Sequence, residues 1–431
     1  MSWQQGLQYA AKTDVGMRRK NNQDSHVVVL ASDEKAWREI GHVFVVADGM
    51  GAHAAGELAS KIAVDNVPHL YQKHRDISPP EALEKAVIEA NAEIHRRGKA
   101  NMDFHAMGTT ACTLVLLPQG ALLGHVGDSR IYRQRGQFIE QLTFDHSLVW
   151  EMRAAGQLPQ NEELAKLVPK NVITRSLGPN EHVQVDIEGP IPIEIGDSFL
   201  MCSDGLSGPV ADEEMGPILA NLPPDEAAQV LIDLANLRGG PDNITVVIAK
   251  VVGPEIATSG AAPLRLGPRR TVRPVHPAIW VVSGLCLLAA VLMQISQHGV
   301  AALVAISGMA ITLLVGWISR MGGGNGPALG PDNRLGKGPY TRTSCSQWDE
   351  FLPKLSKIAN DLREAAVENR EWQIDLTAFN NNIRQADDAV KSKNPAVALR
   401  NYAQAISFMM AELRKRKPKM KGISDSASID L

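Results

Sequence analysis

Cysteine is scarce in this chain: four residues in 431, at 112, 202, 286 and 345, with no CxxC pair among them. That spacing supports neither a disulfide framework nor a zinc site and suits a reducing compartment. No G-x-S-x-G turn occurs, so serine-hydrolase chemistry has no foothold. An excess of positive charge is also missing. The 44 Lys and Arg are offset by 47 Asp and Glu, which gives a net charge of −3 and no electrostatic case for nucleic acid. Residues 1–20 lack an apolar core, so no cleavable signal peptide is expected. Gly336-Lys337 is not a nucleotide loop, because Pro331 stands where its first glycine belongs and Gly338 replaces the Ser or Thr.

What the chain does have is a set of aspartates on tight turns within its first 245 residues. They stand at Asp14-Val15-Gly16 through Asn21-Asn22-Gln23-Asp24, at Ala47-Asp48-Gly49-Met50-Gly51, at Asp145-His146-Ser147, at Ser203-Asp204-Gly205 and at Asp242-Asn243. One Asp-Gly after a strand is an ordinary turn signal, but several in one domain can converge on hard cations, which take oxygen ligands. Asp48 is the natural bridging ligand, since it ends an apolar run and Gly49 lets a backbone carbonyl approach a metal closely. Asp204 and Asp242 occupy similar positions, and Asp24 completes the set.

These motifs, in this order, resemble the bacterial PPM/PP2C family of metal-dependent protein serine/threonine phosphatases over roughly residues 7–252. Arg19, His53, Gly56-Glu57, Met107-Gly108-Thr109-Thr110 and Val126-Gly127-Asp128-Ser129-Arg130 belong to the same series. The resemblance implies an α+β fold, an antiparallel two-sheet sandwich flanked by helices. It implies two or three Mn2+ or Mg2+ ions on Asp24, Asp48, the Gly49 carbonyl, Asp204 and Asp242, with Asp145 at a third, weaker site. Arg19 would bind the substrate phosphate as a planar fork, and His53 would protonate the leaving oxygen. Asp128 reads as a turn-fixing residue. Ala52 replaces a usual glycine, and Gln23 stands where some relatives carry Glu. A cysteine-dependent phosphatase is excluded, because Pro118, Gly208, Leu292 and Phe351 occupy the positions six after each cysteine, where such an enzyme needs Arg.

Within 1–252, apolar runs at 43–47, 111–117, 121–126, 183–187, 198–202 and 244–252 predict strands. Periodic stretches at 56–71, 80–98, 146–155, 212–222 and 225–237 predict helices, with Asp212 and Asp225 as N-caps. Several strands follow one another without a helix between them, which argues against a doubly wound parallel sheet. The remaining chain divides into a linker at 253–277, two uncharged runs within 278–318, a Gly/Pro-rich mobile linker at 319–345, a small all-α domain at 346–418 and a tail at 419–431.

The two uncharged runs read as a transmembrane hairpin. Arg265, Arg269, Arg270, Arg273 and Arg320 lie outside it, and none lies in its short turn, so both termini are expected on the cytoplasmic side of the cell membrane. Trp280 and Trp317 sit near its outer ends. Arg414 to Lys421 reads as a solvated basic tail or a contact for anionic lipid. The partners implied are phosphorylated proteins, including a serine/threonine kinase or its substrates, the membrane, and a protein recruited by the C-terminal helices. Residues 1–252 alone are expected to carry the activity. The rival reading is a non-catalytic phosphoprotein-docking scaffold, disfavoured by the intact aspartate set.

Overall fold

The computed structural model describes residues 6–51, 54–157, 168–169, 172–258, 264–266, 277–296, 299–321, 328–329, 333–369 and 373–420. Its centre is a pair of packed antiparallel sheets. The first runs in the order β1 (Leu7–Asp14), β11 (Ile244–Val251), β10 (Ser198–Cys202), β7 (Arg130–Arg135), β8 (Phe138–Gln141), β14 (Thr341–Ser344). The second runs β2 (Asp24–Val29), β3 (His42–Met50), β5 (Ala111–Leu117), β6 (Gly120–Val126), β9 (Asp186–Ile191), with the short β4 (Gly108–Thr109) on β3.

The central strands are continuous apolar runs because both of their faces are covered. On β3, Val43, Val45 and Ala47 face α2 (Ala55–Lys73) and α3 (Pro79–Ala100), while Phe44 and Val46 face the other sheet. On β11, Ile244, Val246 and Ile248 pack toward α6 (Asp212–Asn221) and α7 (Pro224–Leu237), and Val247 and Ala249 fill the space between the sheets. Strict alternation thus sends successive side chains into two different cores, giving four layers: helices, sheet, sheet, helices. Smaller helices α1 (Glu34–Glu39), α4 (Leu148–Ala154) and α5 (Asp204–Ser207) sit at the sheet ends. Asp212 and Asp225 are not caps but first-turn residues, the N-cap positions being Ala211 and Pro223. Carboxylates there still favour the positive end of the helix.

Helices α8 (Pro277–Ile295) and α9 (Gly299–Met321) pack on each other, and β12 (Leu264–Arg265) pairs with β13 (Ala328–Leu329) in a two-stranded ladder whose Leu264 and Leu329 join the core under α2 and α3. No helix among the described residues is long and apolar enough to cross a membrane, so the transmembrane hairpin expected from the sequence is not found. Polar groups interrupt both apolar runs. Ser283 and Thr312 bond across the pair at 2.8 Å, and Ser307 bonds back to the Leu303 carbonyl of its own helix.

The segment expected to be a mobile linker is, from residue 333 onward, held down. Glu188 is buried and accepts from the Tyr340 hydroxyl at 2.5 Å, the Gly338 amide at 3.1 Å and the Lys337 amide at 3.3 Å. Gly336 has φ +79°, and a Cβ there would stand 1.8 Å from Glu188 Oε2, so only glycine fits. Past this strap, β14 adds the sixth strand to the first sheet, pairing Thr341 with Gln141 through Ser344 with Phe138.

Of the C-terminal helices α10 (Trp348–Glu368), α11 (Thr377–Lys391) and α12 (Pro395–Met420), α12 packs against α6 and α7, and α10 and α11 pack on α12. Phe351, Leu355, Phe379, Leu399, Ile406 and Met409 join one continuous core with Ile218, Leu231 and Leu234. A Cβ on Gly216 would lie 2.1 Å from Cys345 Sγ, which shows how closely the C-terminal segment approaches α6. The all-α segment expected at 346–418 is therefore present as three helices, and its apolar face is buried against α6 and α7. Amphipathic spacing identifies a buried face without naming what buries it.

Candidate active site

Four loops and one turn meet at one end of the sandwich. Strand pairing sets Asp24 directly opposite Asp48 across β2 and β3, so their side chains share a face at short range. The Asp48 backbone is fixed by the Met107-Gly108-Thr109-Thr110 motif. Thr109 Oγ1 and the Thr110 amide both donate to the Asp48 carbonyl at 2.9 Å, and the Asp48 amide donates to Thr110 Oγ1 at 2.9 Å. Gly49 is packed so tightly that a Cβ would stand 2.1 Å from the Gly56 carbonyl, which accounts for glycine at both positions.

Asp204 opens α5 directly after β10, and Asp242 precedes β11. Ser203 and Asn243 brace them. Ser203 Oγ donates to Asp24 Oδ2 at 2.7 Å, while the Asn243 side chain donates to the Val15 and Asn21 carbonyls at 3.0 Å each and accepts from the Gln23 amide at 2.8 Å. Arg19 Nη2 meets Asp242 Oδ2 at 2.7 Å. That hydrogen bond is the main reason the guanidinium's pKa is raised further.

Crowding of like charges dominates the electrostatics. Burial, then repulsion from Asp24, Asp204, Asp128 and Asp242, holds the Asp48 carboxyl well above the ordinary carboxylate range. Burial pushes Asp24 up to about 7 against the opposing hydrogen bond from Ser203. Asp204 is raised by burial and then by Asp242. Asp128 is pushed up to about 7 by burial and then by Asp204 and Asp145. Asp24, Asp128 and Asp204 each keep one buried oxygen, Oδ1, with no hydrogen-bond partner. Orphaned anionic oxygens cost several kcal/mol unless something positive meets them. Among the described residues, no group of three or more His, Cys, Asp or Glu side chains could hold a metal ion as it stands. The donor set nevertheless fits hard cations: carboxylate oxygens, unpartnered, facing one another, beside a close backbone carbonyl.

The expected residues therefore divide. Arg19, Asp24, Asp48, Gly49, Asp204 and Asp242 are brought together. His53 lies outside the described residues. Asp145 lines the cavity beside Asp128 and Asp204, and its carboxylate accepts from Arg130 Nε at 2.9 Å and Nη2 at 2.7 Å and from Gln141 Nε2 at 2.7 Å. Asp128, which the sequence suggested as a turn former, is the residue that faces the cluster. The signal for it was present in its position beside Gly127, whose amide donates to His146 Nδ1 at 2.9 Å and so fixes the turn by another residue. A cavity of about 450 Å³ opens beside the cluster, lined by Asp128, Arg130, Trp150, Arg153, Asp204 and Thr341.

Comparison with known proteins agrees with this geometry. Residues 17–233, just over half of the 431, match the family model for protein phosphatase 2C. The chain is 35% identical over 244 residues to serine/threonine phosphatase stp of Listeria monocytogenes, covering 56% of this chain and 94% of that protein. It is 36% identical over 252 residues to protein phosphatase PhpP of Streptococcus pneumoniae, covering 57% of this chain and 98% of that one. The solved serine/threonine phosphatase PstP/Ppp of Mycobacterium tuberculosis is similar at 34% identity and a TM-score of 0.50, across 57% of this chain and 99% of that chain.

The fold and its acidic cluster define a phosphatase of the four-layered antiparallel type. This chain belongs to the protein phosphatase 2C family and is a protein serine/threonine phosphatase.

Proposed function

We propose that the reaction is metal-dependent hydrolysis of phosphoserine and phosphothreonine in proteins, opposing a serine/threonine kinase. The observation that carries the metal dependence is the set of buried, unpartnered carboxylate oxygens on Asp24, Asp128 and Asp204. Asp48, Asp204, Asp242 and the Gly49 carbonyl would hold two divalent cations, Mn2+ or Mg2+, with Asp24 beside them. Such ions, when bound, supply a nucleophilic water at neutral pH and positive charge for the phosphoryl oxygens. The chain's own contribution is positional. Thr109 and Thr110 fix the Asp48 backbone, Asn243 fixes the Arg19 loop, and Arg19 presents a planar fork to the substrate phosphate.

Asp48→Asn and Asp204→Asn should each lower turnover of a phosphothreonine peptide by at least about a hundredfold in the presence of manganese, with the circular dichroism spectrum unchanged. Near-normal turnover in either variant at low metal concentration defeats this reading.

For localisation we propose association with a membrane, without spans. Leu285, Leu288, Leu292 and Ile295 on α8 and Leu303, Val304 and Ile311 on α9 are each more than half exposed. Contiguous apolar surface of this kind favours a lipid or protein cover. Sedimentation of the full chain with membranes after a high-salt wash supports this placement, and complete release into the supernatant removes it.

A further inference from the structure

Asp233 lies wholly inside the molecule on α7, where a carboxylate needs a partner. Gln229 Nε2 donates to its Oδ1 at 3.1 Å, and its cationic partner comes from 181 residues further along the chain: Arg414, on α12, donates from Nη2 to the same oxygen. The same guanidinium, through Nε, stands 3.8 Å from Asp14 Oδ2. Asp14 ends β1, and its other oxygen accepts from the Gly16 amide at 2.8 Å and from Asn236 Nδ2, on α7, at 3.2 Å. The loop that begins there carries Arg19. It is laid along the segment preceding β11, with the Met17 and Arg18 amides donating to the Gly240 carbonyl at 2.9 and 3.2 Å and Asn243 holding Val15 and Asn21.

A continuous run of contacts thus leads from the last helix to the proposed phosphate-binding arginine. We propose that Arg414 is a positioning residue for the phosphatase reaction. By bridging Asp233 and Asp14 it fixes the start of the loop and keeps Arg19 aimed at the carboxylate cluster. A planar guanidinium suits this role, since its fork serves two carboxylates in one orientation where an ammonium is a point charge. The inference rests on Arg19 being the phosphate-binding group. The Asp14 link is modest in strength, because the two side chains are 35% and 24% exposed.

The bland alternative is that Arg414 only offsets the buried charge of Asp233, and the two roles separate experimentally. In the full chain carrying Arg414→Met with Asp233→Asn, no buried carboxylate is left unpaired, so the thermal midpoint should stay within about 3 °C of wild type. KM for a phosphothreonine peptide should rise about fivefold while kcat changes less than about twofold, as expected for a group that binds ground state and transition state alike. Asp14→Asn leaves the Arg414–Asp233 pair intact and should give the same rise, and combining all three changes should add nothing further.

Arg19→Ala is measured alongside. If it raises KM while Asp14→Asn and the double variant keep the wild-type value, Arg414 has no positioning role. If Arg19→Ala itself leaves KM unchanged, the phosphate-binding reading and this proposal fall together. Should the double variant fail to fold, Asp14→Asn decides alone, and a wild-type KM there overturns the proposal.

Discussion

Replacing Asp128 by Asn should make the metal-free protein more stable, and only at the higher pH values. The carboxyl is 8% exposed, one of its oxygens has no partner, and its pKa is pushed from an ordinary carboxylate value of 3.8 up to about 7. A folded-state value above the unfolded one means that the folded protein holds its proton longer. Below about pH 4 the group is neutral in both states and Asn brings nothing. As pH rises toward 7 the wild type is progressively destabilised by ionising a crowded buried carboxylate, and above 7 the whole difference applies. Three pKa units correspond to about 4 kcal/mol, an upper figure because the Asn carbonyl still lacks a partner. Urea unfolding of both proteins in EDTA at pH 5 and pH 8 should show the gain from Asp128→Asn growing by about 2 to 3 kcal/mol between the two. With manganese added the order should narrow or reverse, since the wild-type charge then meets a cation. A gain independent of pH, or a loss at pH 8, refutes the electrostatic reasoning.

Gly336→Ala should cost about 1 to 3 kcal/mol, read as a lower unfolding midpoint, because a side chain at positive φ collides with Glu188 and loosens the strap leading to β14. Glu188→Ala should destabilise by about 3 kcal/mol or more, through the loss of three hydrogen bonds to one buried carboxylate, again measured by denaturant unfolding. A fragment ending at residue 258 should unfold at a midpoint at least about 10 °C below the full chain or aggregate, because it strips β14 from its sheet and leaves Asp233 without Arg414. A soluble, fully active fragment of that length contradicts the shared core.

The catalytic end of the molecule was legible in the sequence because each of its parts is local. An apolar run, an aspartate and a glycine announce a strand and the turn after it, and the order of such turns identifies the family. Asp128 and Asp145 were harder to place. Both are turn aspartates, and what separates them is whether a guanidinium reaches them, which depends on Arg130 leaving its strand toward one and not the other. Arg414 was misplaced for the same reason. Among neighbouring lysines and arginines it reads as a solvated tail, and only the fold shows that α12 carries it against the one buried carboxylate of α7. Strands β1, β2, β7, β8 and β14 also escaped notice. Arg130, Arg133, Arg135 and Glu140 give β7 and β8 the look of polar surface, yet Arg133 pairs with Glu140 across the two strands and Arg135 with Asp197, just before β10.

The pairing of Asp233 with a residue 181 positions later also has a temporal side. A ribosome adding about 5 to 20 residues per second needs roughly 10 to 35 s to make that stretch. During that interval α7 waits for the cation that meets Asp233, while the apolar helices α8 and α9 and then the outer strand β14 are made in turn. The last helix to be made thus reaches back to the end of the first strand, and on the proposal above a chain that stops before α12 lacks the contact from Arg414 to Asp14.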